Sequence, residues 1–421
     1  MEIKINHEKS ANYDVIVVGS GPAGMGASLA AARNGARTLL IESLGRVGGI
    51  STSGMMSHFV GRVAAPIYHE ILARAADKNP FNRGNVTKYI DPELLTLTYL
   101  EMLEEAGVEL LLYTHFCDVI MDGKTVTGII CHNKDGFCQF GARVVIDASG
   151  DGDVAYAAGV PFEKGRESDG KMQPSTLMFK LGGVCTERAA YLGSFESTYQ
   201  TERGELQALA REHLPHPAGH VLLYRSTLPG IVTINMTNVT DIDGTSAADL
   251  TRAEMICRRQ IPTIVEFLRE YAPGYENCFV IGAASLIGVR ETRRFRGEET
   301  ITETDISEAV QHENAVVFDA YFNFDVHNVT GAGLDKTGVQ HQFKQKNGYT
   351  IPYGCLVPLE VDGLLLAGRN ISGTHMAHSN YRAMPICVGI GVAAGAAAAM
   401  AVEEGITPRA LDVRKIQKRV K

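Results

Sequence analysis

The hydrophobic pattern near the N-terminus predicts a strand, a helix and a second strand in direct succession. Residues 15–18 (Val-Ile-Val-Val) form an unbroken β-branched run, which is typical of a strand buried on both faces of a sheet. An Ala-rich segment that favours a helix continues to Gly35, and residues 37–41 are again mostly apolar. Because a helix between two such strands crosses over a sheet, these residues predict a βαβ unit with parallel strands.

Further along, the pattern indicates helices and short strands. Residues 61–80 are predicted to form a helical, surface-exposed insertion. Residues 91–93 (Asp-Pro-Glu) supply an N-cap, a proline in the first helical position and an acidic side chain in the first turn, so a helix is expected to begin there and to end at Gly107. Residues 108–133 predict three short strands, and another strand leads through residues 142–153.

The pattern of the remaining chain indicates a second domain. Apolar and polar residues alternate there as in strands, and residues 248–272 have the spacing of a long amphipathic helix. Two domains are expected, since 421 residues exceed what one core usually organises. We predict that residues 12–165 and 350–421 form a Rossmann-like α/β domain, into which residues 166–349 are inserted as an α+β substrate domain.

Composition and charge exclude several classes of protein. The chain has 45% hydrophobic and 21% charged residues, as globular proteins do, and its 40 Lys and Arg against 48 Asp and Glu argue against a nucleic-acid partner. The eight cysteines include no Cys-x-x-Cys pair, which favours buried free thiols and a reducing compartment. Residues 1–14 lack the apolar segment of a secretion signal, and the apolar run 388–402 is shorter than a membrane span. We therefore expect a cytoplasmic protein that does not enter a membrane.

The turn after the first strand carries a glycine motif for a dinucleotide. Gly19 permits a tight turn, Gly21 lets the backbone approach a pyrophosphate, and Gly24 lets helix and strand pack closely. The helix that follows presents N–H groups and partial positive charge to the phosphates. Glu42, about 20 residues further on, is placed to hold ribose hydroxyls.

The residues after Glu42 distinguish FAD from NAD. Gly48 and Gly49 follow this acid, and the arrangement resembles the glutathione-reductase-type FAD proteins, in which the acid of the βαβ unit precedes a Gly-Gly-x-x-x motif. Residues 48–54 are also similar to the Gly-Gly-x-x-x-Ser-Gly of the fumarate-reductase-like branch. The resemblance implies a noncovalent FAD, with attachment through a His or Cys left open.

The same resemblance extends to later segments. Residues 147–150 resemble the small-residue segment with which such proteins contact the cofactor again, and the backbone near Phe116 is expected to face adenine. A strand ends in Gly368 and Arg369, and a Gly/Ala-rich helix with Pro385 as its first residue is expected to point its N-terminus at the flavin, which carries negative charge when reduced. The predicted FAD contacts are Gly19, Ser20, Gly21, Pro22, Ala23, Gly24, Glu42, Ser43, Arg46, Gly48, Gly49, Ile50, Ser51, Phe116, Ala148, Ser149, Gly150, Gly368, Arg369, Ile386 and Cys387.

Two longer segments indicate one particular family among these FAD proteins. Residues 287–306 and 351–395 resemble the bacterial FAD-dependent oxidoreductase family, in which a Gly-x-Arg-Glu-x-Arg-Arg segment precedes an Ile-Pro-Tyr strand and a His-x-x-x-Arg-x-x-Pro run. With the N-terminal motifs, the likeness covers nearly the whole chain. Gly354 and Asn380 depart from the family pattern.

The candidate catalytic residues follow from the chemistry that the resemblance implies, a two-electron transfer at flavin N5 with one proton to manage. Histidine handles protons near neutral pH, and arginine anchors an anionic or carbonyl oxygen. The candidates are His375, His378, Arg382, Arg290 and His58. Structural alternatives are a histidine bonded to the backbone, an ion pair of Arg382 with an acid near the last helix, and a buried Arg290–Glu291 pair between the domains. The histidines have no cysteine or acid pair beside them, so no metal site is expected.

The leading hypothesis is an FAD-dependent oxidoreductase that transfers a hydride between flavin N5 and a small organic substrate. No second glycine motif is found, so no NAD(P)H domain is predicted and an unidentified electron donor or acceptor is required. One alternative is a flavin-dependent reductase of an activated C=C bond. Another is a flavin-binding scaffold or RNA-modification component, which the acidic composition disfavours. The direction of electron flow, the substrate and the oligomeric state stay open.

Overall fold

The computed structural model describes residues 11–56, 58–81, 83–193, 197–333 and 345–420. Its strands in chain order are β1 (Ala11–Val18), β2 (Thr38–Ile41), β3 (Glu109–Leu111), β4 (His115–Asp122), β5 (Thr125–Asn133), β6 (Gly136–Asp147), β7 (Phe162–Lys164), β8 (Phe179–Gly182), β9 (Gln200–Thr201), β10 (Gly204–Glu205), β11 (Leu223–Arg225), β12 (Val232–Ile234), β13 (Phe279–Ala283), β14 (Arg293–Phe295), β15 (Ala315–Ala320), β16 (Tyr349–Pro352) and β17 (Leu364–Leu366). Its helices are α1 (Pro22–Arg33), α2 (Pro66–Lys78), α3 (Pro92–Glu105), α4 (Asp153–Ala157), α5 (Leu206–His213), α6 (Ala247–Tyr271), α7 (Glu303–Ser307), α8 (His375–Tyr381), α9 (Met384–Glu404) and α10 (Val413–Val420).

The larger sheet has a parallel core with an antiparallel extension. Strand β1 pairs in parallel with β2 and β6, and β2 pairs in parallel with β3. The second half of β6 pairs in parallel with β17, whereas its first half pairs with β5, which continues antiparallel into β4. The predicted βαβ unit is therefore confirmed. Because the carboxyl ends of parallel strands meet at one edge, the loops after β1, β2, β6 and β17 converge there.

The helices agree with the sequence prediction in most places. Helix α3 is capped by Asp91, whose Oδ1 accepts hydrogen bonds from the backbone N–H of Glu93 (2.9 Å) and Leu94 (3.2 Å). The long amphipathic helix is α6, which begins and ends within one residue of the prediction. Helix α9 begins at Met384, so Pro385 is its second residue rather than its first.

The segment 61–80 is not the exposed insertion that was predicted. Its helix α2 buries one face, which consists of Ile67, Tyr68, Ile71, Leu72 and Ala75. These side chains belong to the larger hydrophobic core, so the helix is part of the domain and only its other face meets solvent.

Helix α9 is the one helix in the described residues that is long and apolar enough to cross a membrane. Within the structure, 94% of that apolar stretch is buried. The core of the protein thus accounts for its hydrophobicity.

Two hydrophobic cores divide the chain. The larger one contains the seven-stranded sheet and its helices, and the smaller one, formed by residues between Leu177 and Ile287, lies around the antiparallel sheet β11-β12-β8-β13 and α6. Phe295 and other apolar residues up to Val326 pack into the larger core. The proposed boundaries at residues 166 and 349 stay a prediction, and the second core occupies the middle of that range. All eight cysteines are free, and six of them are buried.

Candidate active site

The turn between β1 and α1 is built from glycines. Gly19 has φ +93°, in the left-handed region, and a Cβ there would lie 2.6 Å from the Ala148 carbonyl oxygen. A Cβ at Gly24 would lie 1.8 Å from the Gly19 carbonyl oxygen. At Gly21, by contrast, a Cβ would meet nothing within 4 Å. The turn is thus crowded on its protein side and open at Gly21, where the motif predicts a pyrophosphate.

Glu42 follows β2 and holds this turn in place. Its Oε2 accepts hydrogen bonds from the backbone N–H (3.0 Å) and hydroxyl (2.6 Å) of Ser20. Its Oε1 accepts from the Ser43 hydroxyl (3.1 Å) and the Leu44 N–H (2.9 Å). The carboxylate therefore lies at the carboxyl edge of the sheet, and its contact with a ribose stays a prediction.

Helices α1 and α9 cross at glycines. A Cβ at Gly391 would lie 1.9 Å from the Ala23 carbonyl oxygen, and one at Gly395 would lie 2.1 Å from that of Ala27. Because the later residue of α9 contacts the later residue of α1, the two helices run in the same direction. Met384, where α9 begins, precedes Gly391 by seven residues, which places the N-terminus of α9 about 10 Å beyond that of α1. Two helix N-termini therefore open toward the same side of the domain.

A cavity of about 1150 Å³ meets both N-termini and is lined by residues of both cores. Most of the predicted FAD contacts line it, namely Gly19, Gly21, Pro22, Ala23, Glu42, Ser43, Gly49, Ile50, Phe116, Ala148, Ser149, Gly150, Gly368, Arg369 and Cys387. The other six do not line it: Ser20, Gly24, Arg46, Gly48, Ser51 and Ile386. Of these, Arg46 is paired with Glu93 at 2.8 Å.

Arg369 lines the cavity, and its guanidinium is only partly hydrogen-bonded. Its Nη2 donates to Asp151 Oδ1 at 2.7 Å, while its Nη1 is buried and has no hydrogen-bond partner among the described residues. Gly150, beside it, has φ +84°. With the open position at Gly21 and the two helix N-termini, these residues fit the diphosphate and hydroxyl groups of FAD.

Four charged or titratable residues form a second wall of this cavity, which we call the cavity cluster: Arg290, Asp325, His327 and Arg382. Arg382 follows α8, two residues before α9 begins, and its Nη2 donates to Asp325 Oδ2 at 2.9 Å. His327 Nε2 lies 3.3 Å from Asp325 Oδ1. Arg290 Nη1 donates to the Pro174 carbonyl oxygen at 2.6 Å. The structure thus brings Arg290 and Arg382 together, and Arg382 also forms the acid pair considered as its alternative.

The pKa shifts in the cavity cluster arise from burial and mutual charge. Burial, and next Arg382, lower the pKa of Arg290 to about 10. Burial and then Arg290 lower the pKa of His327 to about 3, although Asp325 opposes this. Burial would raise the pKa of Asp325, but His327 and the two guanidiniums hold it well below its usual range. At pH 7 the cluster therefore contains two cations, one anion and a neutral imidazole.

His58 lines the same cavity beside two tyrosines. Its ring centroid lies 4.3 Å from that of Tyr224 and 5.6 Å from that of Tyr89. Burial, followed by the charge of Lys88, lowers the pKa of His58 to about 4, so the imidazole is neutral at pH 7. Within the described ranges, His58 Nδ1 is buried without a hydrogen-bond partner. A neutral imidazole in this position can accept or donate one proton.

The other two candidate histidines do not line the cavity. His375 Nδ1 lies 2.7 Å from Glu291 Oε1, to which Arg294 Nη1 donates at 2.6 Å. We call Glu291, Arg294 and His375 the closed triad, because each side chain is at most 2% exposed. The buried Arg290–Glu291 pair that the sequence offered as an alternative is wrong, since Glu291 pairs with Arg294. His378 is fully buried, with neither ring nitrogen hydrogen-bonded in the part of the chain described.

The sequence interpretation missed Asp325, His327, Tyr224 and Asn235. Asn235 Nδ2 donates to Tyr224 Oη at 3.1 Å, and both residues line the cavity. A signal was present for the first two, because an Asp and a His two positions apart in an extended segment point to the same side. No local pattern distinguishes Tyr224, in β11, or Asn235, directly after β12, from the residues around them. Among the described residues, no group of three or more His, Cys, Asp or Glu is arranged to hold a metal ion.

Comparison with protein families gives one match along almost the whole chain. A family model described as FAD dependent oxidoreductase matches residues 14–420. Curated relatives match a smaller part. Digeranylgeranylglycerophospholipid reductase 1 of Methanopyrus kandleri is 30% identical over 149 residues, which are 33% of this chain and 40% of the relative. The corresponding reductase of Picrophilus torridus is 28% identical over 160 residues, 33% of this chain and 39% of the relative. The chain thus spans about two fifths of the length of these relatives.

Solved structures share the fold at low sequence identity. A geranylgeranyl bacteriochlorophyll reductase-like protein from Thermoplasma acidophilum superposes with a TM-score of 0.51 at 15% identity, covering 97% of this chain and 82% of that one. The p-nitrophenol 4-monooxygenase PnpA from Pseudomonas putida DLL-E4 gives 0.50 at 12% identity, covering 98% and 84%. These likenesses support the Rossmann-like FAD-binding fold. The glutathione-reductase subtype stays a prediction.

Proposed function

The chain belongs to the FAD-dependent oxidoreductase family, and we propose that it transfers a hydride between FAD and a small organic substrate bound against the cavity cluster. The observation that carries this proposal is a single cavity that joins the open glycine turn, the N-terminus of α9 and the cavity cluster. Bound FAD supplies a two-electron acceptor or donor at N5. Since the family is one of oxidoreductases, we do not propose the scaffold role.

Different residues of the chain bind different parts of the cofactor. The N-terminus of α1 and the open face of Gly21 receive the diphosphate. The N-terminus of α9 stabilises negative charge that develops on the ring, through the partial positive charge of its unpaired N–H groups. Arg369, with its unpartnered Nη1, supplies a further donor.

The residues of the second wall bind the substrate and handle its proton. Arg290 and Arg382 anchor a substrate oxygen, and Asp325 orients Arg382 through the 2.9 Å contact. His58, neutral at pH 7, holds or receives the proton that accompanies the transfer. Burial raises the pKa of Tyr224 to about 12, so its hydroxyl stays protonated and is available as a hydrogen-bond donor.

The cofactor part of the proposal is tested with Gly21→Val. A Cβ at Gly21 meets no protein atom within 4 Å, so the fold tolerates the side chain, which instead fills the space for the diphosphate. We expect FAD affinity, measured by flavin fluorescence during reconstitution, to fall at least about tenfold with the unfolding midpoint of the FAD-free protein unchanged. Ala32→Val on the same helix but outside the cavity is the control. A purified protein that takes up no FAD would overturn the proposal.

The reaction itself is tested by an anaerobic stopped-flow screen. Oxidised holoenzyme is mixed with alcohols, hydroxy acids, amino acids and amines, and bleaching of the flavin absorbance reports hydride transfer. We expect at least one class to bleach it, and His58→Phe to slow that step by about 100-fold without loss of bound FAD. Equal rates in His58→Phe and the unmodified enzyme would remove His58 from the reaction.

A second candidate function is reduction of an activated C=C bond. It is favoured by the partial match to proteins named digeranylgeranylglycerophospholipid reductases and by the similarity of residues 48–54 to the fumarate-reductase-like motif. Reduced holoenzyme would then be reoxidised anaerobically by unsaturated acids. Bleaching by alcohols or amines, with no reoxidation by unsaturated acids, decides against it.

A further inference from the structure

Arg290 is a cation that no carboxylate of the described residues contacts directly, and Asp325 of the same cluster acts on it only at longer range. Among the described residues, no Asp or Glu oxygen lies within 4.0 Å of its guanidinium, and its recorded hydrogen bond goes to the neutral Pro174 carbonyl. Although burial lowers its pKa to about 10, the group is charged at pH 7. A partly desolvated charge without a counter-ion is costly unless something else pairs with it.

Arg382 is also incompletely satisfied. Its Nη2 binds the side chain of Asp325 (2.9 Å) and the Asp325 carbonyl oxygen (2.8 Å). Its Nε is buried with no hydrogen-bond partner in the described part of the chain. No hydrogen bond of its Nη1 is found in that part of the chain either, so Arg382 keeps unpartnered N–H groups and lines the same cavity as Arg290.

The charges of the cavity cluster do not balance. Arg290 and Arg382 carry one positive charge each, Asp325 carries one negative charge and His327 is neutral at pH 7, which leaves one positive charge. Neighbouring Tyr224 and Asn235 are uncharged and can donate hydrogen bonds. One monoanion would neutralise the site, whereas a phosphate monoester of about two charges would overcompensate it.

We propose that the substrate bears a carboxylate, which Arg290 and Arg382 bind between them beside the N-terminus of α9. This inference rests on the proposed function and names the substrate class. A carboxylate is planar and accepts two parallel N–H bonds from a guanidinium. Met178, Leu222 and Ile287 line the same cavity, so the organic part of the acid lies against apolar side chains.

The experiment measures binding rather than turnover. Benzoate and its neutral isostere benzamide are titrated into the oxidised holoenzyme, with the shift of the flavin absorbance and calorimetry as readouts. We expect benzoate to bind at least about tenfold more tightly than benzamide, since only benzoate forms charge-assisted hydrogen bonds. Phenyl phosphate is a second arm, and we expect it to bind more weakly than benzoate.

Substitution locates the effect. Arg290→Met should reduce benzoate affinity to the level of benzamide, and Arg290→Lys should recover part of it. Arg188→Met, which removes the same charge from an exposed pair with Glu276, should leave benzoate binding unchanged. Equal binding of benzoate and benzamide, tighter binding of phenyl phosphate, or full benzoate affinity in Arg290→Met would each overturn the inference. Because FAD content is measured on the same samples, such a result would leave the proposed function standing, and a failure to bind FAD would overturn both.

Discussion

Arg290 and Arg294 lie four residues apart in one segment, yet only Arg294 has a carboxylate partner in the described residues. In the closed triad, Arg294 donates to Glu291 Oε1 (2.6 Å) and to the carbonyl oxygens of Gly165 (3.0 Å) and Gly373 (3.2 Å). In the cavity cluster, Arg290 has a carbonyl partner and no carboxylate within the described residues. The first guanidinium is satisfied by the protein, and the second leaves a charge on a cavity wall.

The comparison separates structural charges from functional ones. The closed triad is fully buried, the cavity cluster is mostly buried, and both contain arginine, so low exposure alone does not identify a ligand site. The closed triad uses its hydrogen bonds to tie β14 to the segments of Gly165 and Gly373, which is a structural role. Within the described ranges, the cavity cluster instead keeps a guanidinium without a carboxylate contact and an unpartnered Nε, as expected of a site that binds an anion.

The largest expected effect is in the closed triad. Arg294→Met leaves Glu291 without its guanidinium and two carbonyl groups without their donor, so we expect the free energy of unfolding to fall by about 3–5 kcal/mol. Urea denaturation measures it. Arg296→Met is the control, because that arginine and Glu163 form a surface pair with side chains 58% and 45% exposed. Its loss should be below about 1 kcal/mol, and equal losses in the two variants would refute the distinction.

The second expected effect separates stability from binding. Asp325→Asn removes the acid that holds Arg382, so the free energy of unfolding should fall by about 2 kcal/mol. The same change raises the charge of the cavity cluster by one, so benzoate should bind at least about threefold more tightly. Glu291→Gln should lower stability without changing benzoate affinity. Weaker benzoate binding in Asp325→Asn would contradict the charge count.

The residues expected to contact the cofactor were predictable from the sequence because the signals for them are local. Gly19, Gly21 and Gly24 follow a buried strand at fixed spacing, and each spacing corresponds to one contact within the same turn. The Gly/Ala content of α9 also has a direct structural consequence, because Gly391 lets this helix cross close to α1 at Ala23. These features depend on residues near one another in the chain or on one repeated small residue.

The cavity cluster was only partly predictable because its residues come from distant segments of the chain. Arg290 and Arg382 were identified by residue type, but Asp325, the acid that pairs with Arg382, lies 35 residues beyond the first and 57 before the second. His375 and Arg382 belong to the same run, and the turn of α8 directs one into the closed triad and the other to the cavity. Sequence spacing does not contain that difference, since it depends on which elements pack around α8.

A smaller effect concerns the pH dependence of stability and is measured at His327 of the cavity cluster. The pKa of His327 is lowered to about 3, so between about pH 6.5 and pH 3 the unfolded chain binds a proton that the folded protein does not. Stability therefore falls with acid in this window, and His327→Gln should reduce the slope by up to about 1.4 kcal/mol per pH unit. The lowered pKa of Asp325 also makes stability fall with acid, but only below about pH 4, where the carboxylate of the unfolded chain takes up its proton. Urea denaturation at pH 7.5, 6.0 and 5.0 measures the slope, and an unchanged slope in His327→Gln would show that the imidazole is protonated in the fold.

The smallest expected effect is at Gln173, which connects the two regions. Its backbone N–H donates to Glu291 Oε2 (3.2 Å), while its side-chain Oε1 accepts from the His327 N–H (3.2 Å) and Arg382 Nη2 (3.4 Å). Gln173→Leu keeps the first bond and removes the other two, so we expect a loss of about 1 kcal/mol in unfolding free energy, measured in urea. Benzoate affinity should fall less than in Arg290→Met, because Asp325 still orients Arg382. Gln173→Glu restores the acceptor oxygen but adds a negative charge, so it should weaken benzoate binding further. If Gln173→Leu and Gln173→Glu bind benzoate alike, charge in this cavity does not control anion binding. The closed triad and the cavity cluster would then differ only in how their side chains pack.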